Sequence, residues 1–196
     1  MQPSYLVHQS IAPCDWHWLI DPTLDLHGSF GHSKDQRFER LQRLVNQSGL
    51  LETTMAQLVS QTEHKVLLDS SLWQKDLLAS LPHHKLGLVI EATTEPAALF
   101  DLIEQSGRMP AVIAIDIPAF TDGRCYSLAE LLKRELWWQG ELMVIGEVLQ
   151  DQIFWFWRCG FDLIVPRHDQ NIQLCQQSLQ TFSSSYQASA RDLKSM

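Results

Sequence analysis

The sequence predicts an α/β fold: a mainly parallel sheet of four or five strands with covering helices, either doubly wound or a partial β/α barrel. A small N-terminal hairpin and a helical segment precede it. Three observations carry that expectation. Short, near-continuous apolar runs recur at KLGLVIEA, AVIAIDIP, ELMVIGEV and DLIVP, the pattern of strands buried on both faces. Stretches with apolar residues at helical spacing separate these runs. The two kinds of segment alternate, as strand–helix–strand units require.

In chain order, SYLVHQ and DWHWLID read as the hairpin, paired across IAPC. The Gly-, Asp-, Ser- and His-rich stretch 21–35 reads as a loop. Residues 37–61 carry Phe38, Leu41, Leu44 and Val45, then Met55, Leu58 and Val59, and read as one or two helices broken near Gly49. HKVLLDS (64–70) is a further strand feeding a helix around 72–81. After the strand at 85–92, Thr94 is the expected N-cap of a helix, with Pro96 in its first turn and Leu99, Leu102 and Ile103 on one face. The strand at 111–118 precedes a helix over 127–136, which gathers Leu128, Leu131, Leu132 and Leu136 on one side. The strand at 141–148 leads into a helix over 150–160, closed by Gly160. The strand at 162–166 leads into the last helix, 171–187, striped by Ile172, Cys175, Leu179 and Phe182. A polar tail, 188–196, is expected to fray. The whole is one domain, with residues 1–63 appended to an α/β core over 64–187.

The 196 residues suit such a domain. A formal net charge of −8 argues against general nucleic-acid binding, which needs a basic stripe against the phosphates. Arg37, Arg40 and Arg43 are interleaved with Asp35 and Glu39 and read as a solvated helix face. Cys14, Cys125, Cys159 and Cys175 form no C-x-x-C pair, which removes zinc ribbons and thioredoxin-type motifs. The N-terminus lacks the basic start and apolar stretch of a signal peptide. No apolar run approaches the roughly 20 residues that span a bilayer. The expectation is a cytoplasmic protein with reduced thiols and no membrane contact.

Ligands of parallel α/β sheets sit beyond the carboxyl ends of the strands. The loops expected there carry Glu91, Thr93 and Thr94, then Pro118, Phe120 and the turn TDGR (121–124). Gly146, Glu147 and Gln150 follow, and finally Arg167 and His168. Thr121, Asp122, Gly123, Arg124 and Ser127 form the candidate anion site. A helix starting near Ser127 would offer free N–H groups and a positive dipole end. Gly123 allows close backbone approach, and Arg124 can fork onto an oxyanion. Asp116, Asp151, Gln152 and Arg158 are supporting polar candidates. The alternative is packing: Ser127 caps the helix, Arg124 pairs with Asp122, and Asp151 serves the helix dipole or holds Arg124 or Arg158.

FTDGRCYSLAELLKREL, followed by GELMVIGEVLQDQIFWFWRCGFD and then FSSSYQ, resembles the bacterial family known as domain of unknown function 934. Its members typically read F-x-x-F-T-D-G-R-x-Y-S, then G-E-L-R-A-x-G-D-V-L-x-D-Q, then R-C-G-F-D. The likeness is good over 115–187 and poor in the first half. The family pattern falls on Phe120, Thr121, Asp122, Gly123, Arg124, Tyr126 and Ser127. It continues on Gly146, Asp151 and Gln152, then on Arg158, Cys159, Gly160 and Phe161. Cys125 stands where members often have Gly, and Glu147 where they have Asp. The resemblance implies a role in sulfite reduction or cysteine biosynthesis, with sulfite reductase or another sulfur-assimilation protein as partner. It implies no catalytic residues, which stay unknown.

Cys159, at a helix end, reads as a structural thiol, whereas Cys125, before a helix start and beside Arg124, is placed to favour a thiolate. Trp137, Trp138, Phe154, Trp155, Phe156 and Trp157 are too many aromatics for one buried stripe. Some are therefore expected at a partner or homo-oligomer surface. His27, His32, His64, His83 and His84 lack metal-ligand spacing, so no metal is expected. There is no Gly-rich nucleotide loop, and no cofactor is expected. Three functions compete: an accessory or interaction protein of sulfite reduction, an enzyme binding a small anion at the 116–127 loop, and a flavin or nicotinamide oxidoreductase.

Overall fold

A computed structural model describes residues 4–19, 34–48, 50–60, 64–82 and 85–180. The bulk of the 21–35 loop, Gly49, His27, His32, His83, His84, Phe182 and the tail 188–196 lie outside the described residues.

The chain opens with β1 (Ser4–Val7), β2 (Ser10–Pro13) and β3 (Trp16–Leu19), followed by α1 (Lys34–Ser48), β4 (Leu51–Thr53) and α2 (Met55–Ser60). Then come β5 (Lys65–Asp69), a short 3₁₀ turn, α3 (Lys75–Ala79), β6 (Lys85–Glu91), α4 (Pro96–Ser106) and β7 (Val112–Ile117). The last elements among the described residues are α5 (Arg124–Glu130), β8 (Glu141–Gly146), α6 (Ile153–Arg158), β9 (Leu163–Ile164) and α7 (Ile172–Ser178). The strands form one nine-stranded sheet in the order β2-β1-β9-β8-β7-β6-β5-β3-β4. Pairing is parallel from β4 through β9 and antiparallel at β1 with β9 and with β2. The sheet is therefore mixed and wider than the four or five parallel strands expected.

The expected hairpin is also corrected. β1 turns back on β2, not on DWHWLID, through a two-residue loop at His8 and Gln9, both at positive φ. Strand β3 instead crosses to the far side and lies parallel between β4 and β5. Within 37–61 a short strand, β4, separates two helices where only a helix break was expected.

Connection direction sorts the helices. From β5 to β9 each strand is added on the same side of its predecessor, so right-handed crossovers put the helices on one face. Leu78, Leu99, Ile103, Leu128 and Phe156 pack there against Leu88, Ile113, Ile115 and Val144. The step from β3 to β4 runs the other way, and α1 accordingly lands on the opposite face. There Leu44 packs in a cluster with Trp16, Trp18, Val112, Ala114 and Met143. Both faces are thus dry, which is why these strands read as unbroken apolar runs. Strand β7 is buried at all six positions, and each such Ile or Val contributes about 1.5–3 kcal/mol.

Strand parity places one charged side chain in that strand. Ile113, Ile115 and Ile117 face the helical layer, while Val112, Ala114 and Asp116 face α1. Asp116 stands last in its row, at the carboxyl end.

Candidate functional site

Three adjacent parallel strands end in carboxylates on the α1 face: Asp69 on β5, Glu91 on β6 and Asp116 on β7, with Glu91 and Asp116 in direct register. Helix α1 crosses above them. Its Arg40, Arg43 and Gln47 recur at spacings of three and four, so they share a helix flank. Arg40 Nε donates to Asp116 Oδ2 at 2.8 Å, and Arg40 Nη1 reaches Asp69 at 3.1 Å and Glu91 at 3.2 Å. Arg43 Nη2 donates to Asp116 Oδ2 at 2.9 Å. The solvated helix face expected for these arginines is corrected: Arg40 and Arg43 turn inward to neutralise carboxylates that the sheet has taken out of water.

The remaining bonds fix the geometry. The other oxygen of Asp69 accepts from Ser71 N at 3.0 Å and from its hydroxyl at 2.7 Å, which caps the 3₁₀ turn. Gly146, at φ +100°, lies against Asp116. A Cβ there would sit 2.9 Å from Asp116 Oδ1 and closer still to the Ile117 carbonyl oxygen. Glycine at this point lets β8 bend past the carboxylate. Further along the same edge, Gln47 donates to Glu147, and Arg167 bridges Glu147 at 2.6 Å and Asp169 at 2.7 Å. His168 N–H donates to the Gln47 carbonyl oxygen at 2.7 Å.

Burial raises the Asp116 pKa above the carboxylate norm, more than the guanidiniums of Arg40 and Arg43 bring it back. Burial also works against the Arg40 charge, yet the carboxylates of Asp116, Asp69 and Glu91 outweigh it and the net shift is upward. Read from Arg40, the grouping favours charge; read from Asp116, it penalises charge. With three carboxylates around it, Arg40 stays charged. Arg40 Nη2 is buried without a hydrogen-bond acceptor.

In front of these groups opens a cleft of about 280 Å³, lined by Arg40, Arg43, Glu91, Asp116, Asp122 and Arg124, with Ala92, Thr93 and Pro118. Two of the five anion-site candidates, Asp122 and Arg124, line it. Asp122 binds Arg124 through Nε at 2.8 Å and Nη2 at 2.7 Å, the pairing foreseen as the packing alternative. Arg124 nonetheless stays 62% exposed. Thr121, Gly123 and Ser127 are exposed and do not line the cleft.

The helix-start argument is corrected. Helix α5 begins at Arg124, three residues before the expected position, and the Arg124 N–H is already taken by Asp122 at 3.2 Å. Ser127 is therefore inside the helix, not its cap. Asp116 is the one supporting candidate at the cleft; Asp151, Gln152 and Arg158 lie outside its lining. Gln152 ties two loops together by donating to the Phe120 carbonyl oxygen at 2.8 Å, and Arg158 stacks over Phe154. Cys125 is buried, and burial pushes its thiol up to about 12, against the thiolate expectation; Cys159 is likewise raised by burial, to about 11. Among the described residues no group of three or more His, Cys, Asp or Glu is placed to hold a metal ion. No described helix is long and apolar enough to cross a membrane.

A family model described as a bacterial protein of unknown function, DUF934, matches residues 87–196. The chain belongs to that family. The match includes Glu91, Asp116, Asp122 and Arg124 but stops short of Asp69 and of α1, so the two arginines that face Asp116 come from outside it. No curated protein and no solved structure matches the chain.

Proposed function

We propose that this chain binds a small oxyanion-bearing molecule in the cleft above β6 and β7 and serves sulfite reduction in that capacity. The observation that carries the binding site is the convergence of Arg40, Arg43 and Arg124 on one cleft at the carboxyl ends of parallel strands. Arg40 Nε and Nη1 are already engaged by Asp116, Asp69 and Glu91, so the more exposed Arg43 and Arg124 are the ligand-facing donors. Asp122 holds the Arg124 fork in a fixed orientation, which lowers the entropy lost when a ligand oxygen binds. The sulfite context comes from the family likeness alone.

The test is a thermal-shift screen with sulfite, sulfate, phosphate, phosphorylated metabolites and small carboxylates. At least one should raise the melting temperature, and Arg43→Ala and Arg124→Ala should each abolish the rise. An unchanged ligand response in both variants rejects this site.

A second reading, an interaction protein of the same pathway, is favoured by exposed aromatics. Phe120, in the loop held by the Gln152 bond, is 57% exposed, Trp155 on α6 is 50% exposed, and Trp137 is 70% exposed. Such side chains anchor interfaces. The protein should then co-purify with sulfite reductase, and Trp155→Ala should weaken that association. Failure to associate in extract and in reconstitution removes this reading.

A further inference from the structure

The two ligand-facing arginines are held in different ways. Arg124 is held by Asp122, two residues away in its own turn. Arg43 is held by a row of side chains from distant parts of the chain. Its Nη2 donates to Asp116 Oδ2 on β7 at 2.9 Å, and its Nη1 donates to Gln47 Oε1 at 2.8 Å, one turn further along α1. Gln47 Nε2 donates in turn to Glu147, the residue after β8. Glu147 accepts Arg167 Nη1 at 2.6 Å, and Asp169 grips Arg167 through Nε and Nη2, both at 2.7 Å. Gln47, Glu147, Arg167 and Asp169 do not line the cleft.

Polarity gives this row a direction. A side-chain amide accepts at one end and donates at the other, a guanidinium only donates, and a carboxylate only accepts. One orientation of the Gln47 amide therefore satisfies Arg43 and Glu147 together. The flipped orientation opposes donor to donor and acceptor to acceptor. Glu147 thus fixes which end of Gln47 meets Arg43. With both Nη groups engaged, the plane of the Arg43 guanidinium is set, and its remaining N–H groups keep one aim. The backbone supports the same arrangement. The Gln47 carbonyl oxygen, in the last turn of α1, accepts the His168 N–H at 2.7 Å, which pins the helix end to the segment carrying Arg167 and Asp169.

We propose that Gln47 and Glu147 are positioning residues for the oxyanion: Glu147 orients the Gln47 amide, and Gln47 holds Arg43 in the plane that meets the ligand. This rests on the cleft being the ligand site and adds a control of its affinity from outside the cleft.

The experiment titrates sulfite, sulfate and phosphate into the full chain by calorimetry, with denaturant unfolding measured on every variant. A carboxylate near a bound anion repels it, so charge alone predicts that removing Glu147 tightens binding. Positioning predicts the opposite for one variant only. Glu147→Ala leaves the Gln47 amide without its acceptor and should weaken binding about tenfold, the order of the cost of immobilising one long side chain. Glu147→Gln loses the same charge but keeps an oxygen for Gln47, and should bind at least as tightly as the wild type. Gln47→Ala should match Glu147→Ala, and the double variant should bind no more weakly than either, because both act through one guanidinium. Tighter binding in both Glu147 variants overturns the proposal in favour of a charge effect. Unchanged affinity in Glu147→Ala, with only stability lowered, overturns it in favour of a purely structural role. Losses that add in the double variant overturn the route through Gln47. In these three cases the cleft reading stands as long as Arg43→Ala and Arg124→Ala abolish binding. No binding of any of the three anions to the wild type rejects the cleft as an oxyanion site and the proposal with it.

Discussion

Two buried ionic groupings occupy opposite ends of this sheet, and they are built differently. At the amino end of β8 and β9, Lys133 Nζ donates to Asp162 Oδ2 at 2.9 Å and to the Gly140 carbonyl oxygen at 2.7 Å. The same carboxylate oxygen accepts the Leu142 N–H at 3.0 Å. Both side chains are almost wholly buried, and neither lines the cleft. At the carboxyl end Arg40 and Arg43 meet Asp69, Glu91 and Asp116 among the described residues, Arg40 Nη2 is buried without an acceptor, and a cleft opens alongside. The sealed grouping holds a chain turn. The grouping beside the cleft keeps Glu91 and Arg43 partly exposed and has capacity for a ligand.

The sharpest way to break this contrast is to remove an anion from each end. Asp162→Ala should cost about 3–5 kcal/mol in denaturant unfolding, because it removes the carboxylate that faces the buried Lys133 charge and accepts the Leu142 N–H. Asp162→Asn should cost less, since it keeps an acceptor for that N–H. At the other end, Gly146→Ala should cost about 2–4 kcal/mol, from a positive-φ backbone and from a Cβ driven against Asp116 and the Ile117 carbonyl. Asp116→Asn should cost only about 1 kcal/mol, because Arg40 keeps Asp69 and Glu91 and a desolvated charge disappears. If Asp116→Asn proves as damaging as Asp162→Ala, the two groupings are equally structural and the contrast fails.

How far sequence reading reached follows the same division. The five apolar strands of the core were legible because burial on both faces writes itself as an unbroken apolar run, and Asp116 stands out within AVIAIDIP for the same reason. Asp122 and Arg124 were legible as a pair from their position after that strand. Arg40 and Arg43 were not: a charged row at helical spacing has the same period whether it faces water or a row of carboxylates. Only the reversed step from β3 to β4 puts α1 over the sheet, and strand order is not written in periodicity. The hairpin failed for a local reason. A two-residue loop with both φ values positive is normally marked by Asn-Gly, and His8-Gln9 carries no such mark, so IAPC read as the turn although most of it lies in the second strand.

The smallest expected effect sharpens the comparison at its exposed edge. Hydrogen bonds from Arg124 hold the Asp122 carboxyl below the usual carboxylate range. A carboxyl whose pKa is depressed on folding adds stability that is present above its unfolded value, near about 4. That stability is lost as pH falls through the folded value. The wild type should therefore melt slightly above Arg124→Ala at pH 7, and the gap should close as the pH is lowered below about 4. Exposure screens the pair, so the gap should also shrink in high salt. Lys133 and Asp162, shielded from solvent, should show no comparable salt sensitivity. A gap between wild type and Arg124→Ala that is unchanged by both acid and salt would mean that Arg124 stabilises the turn by packing, with Asp122 incidental. The guanidinium would then have no fixed orientation to offer a ligand.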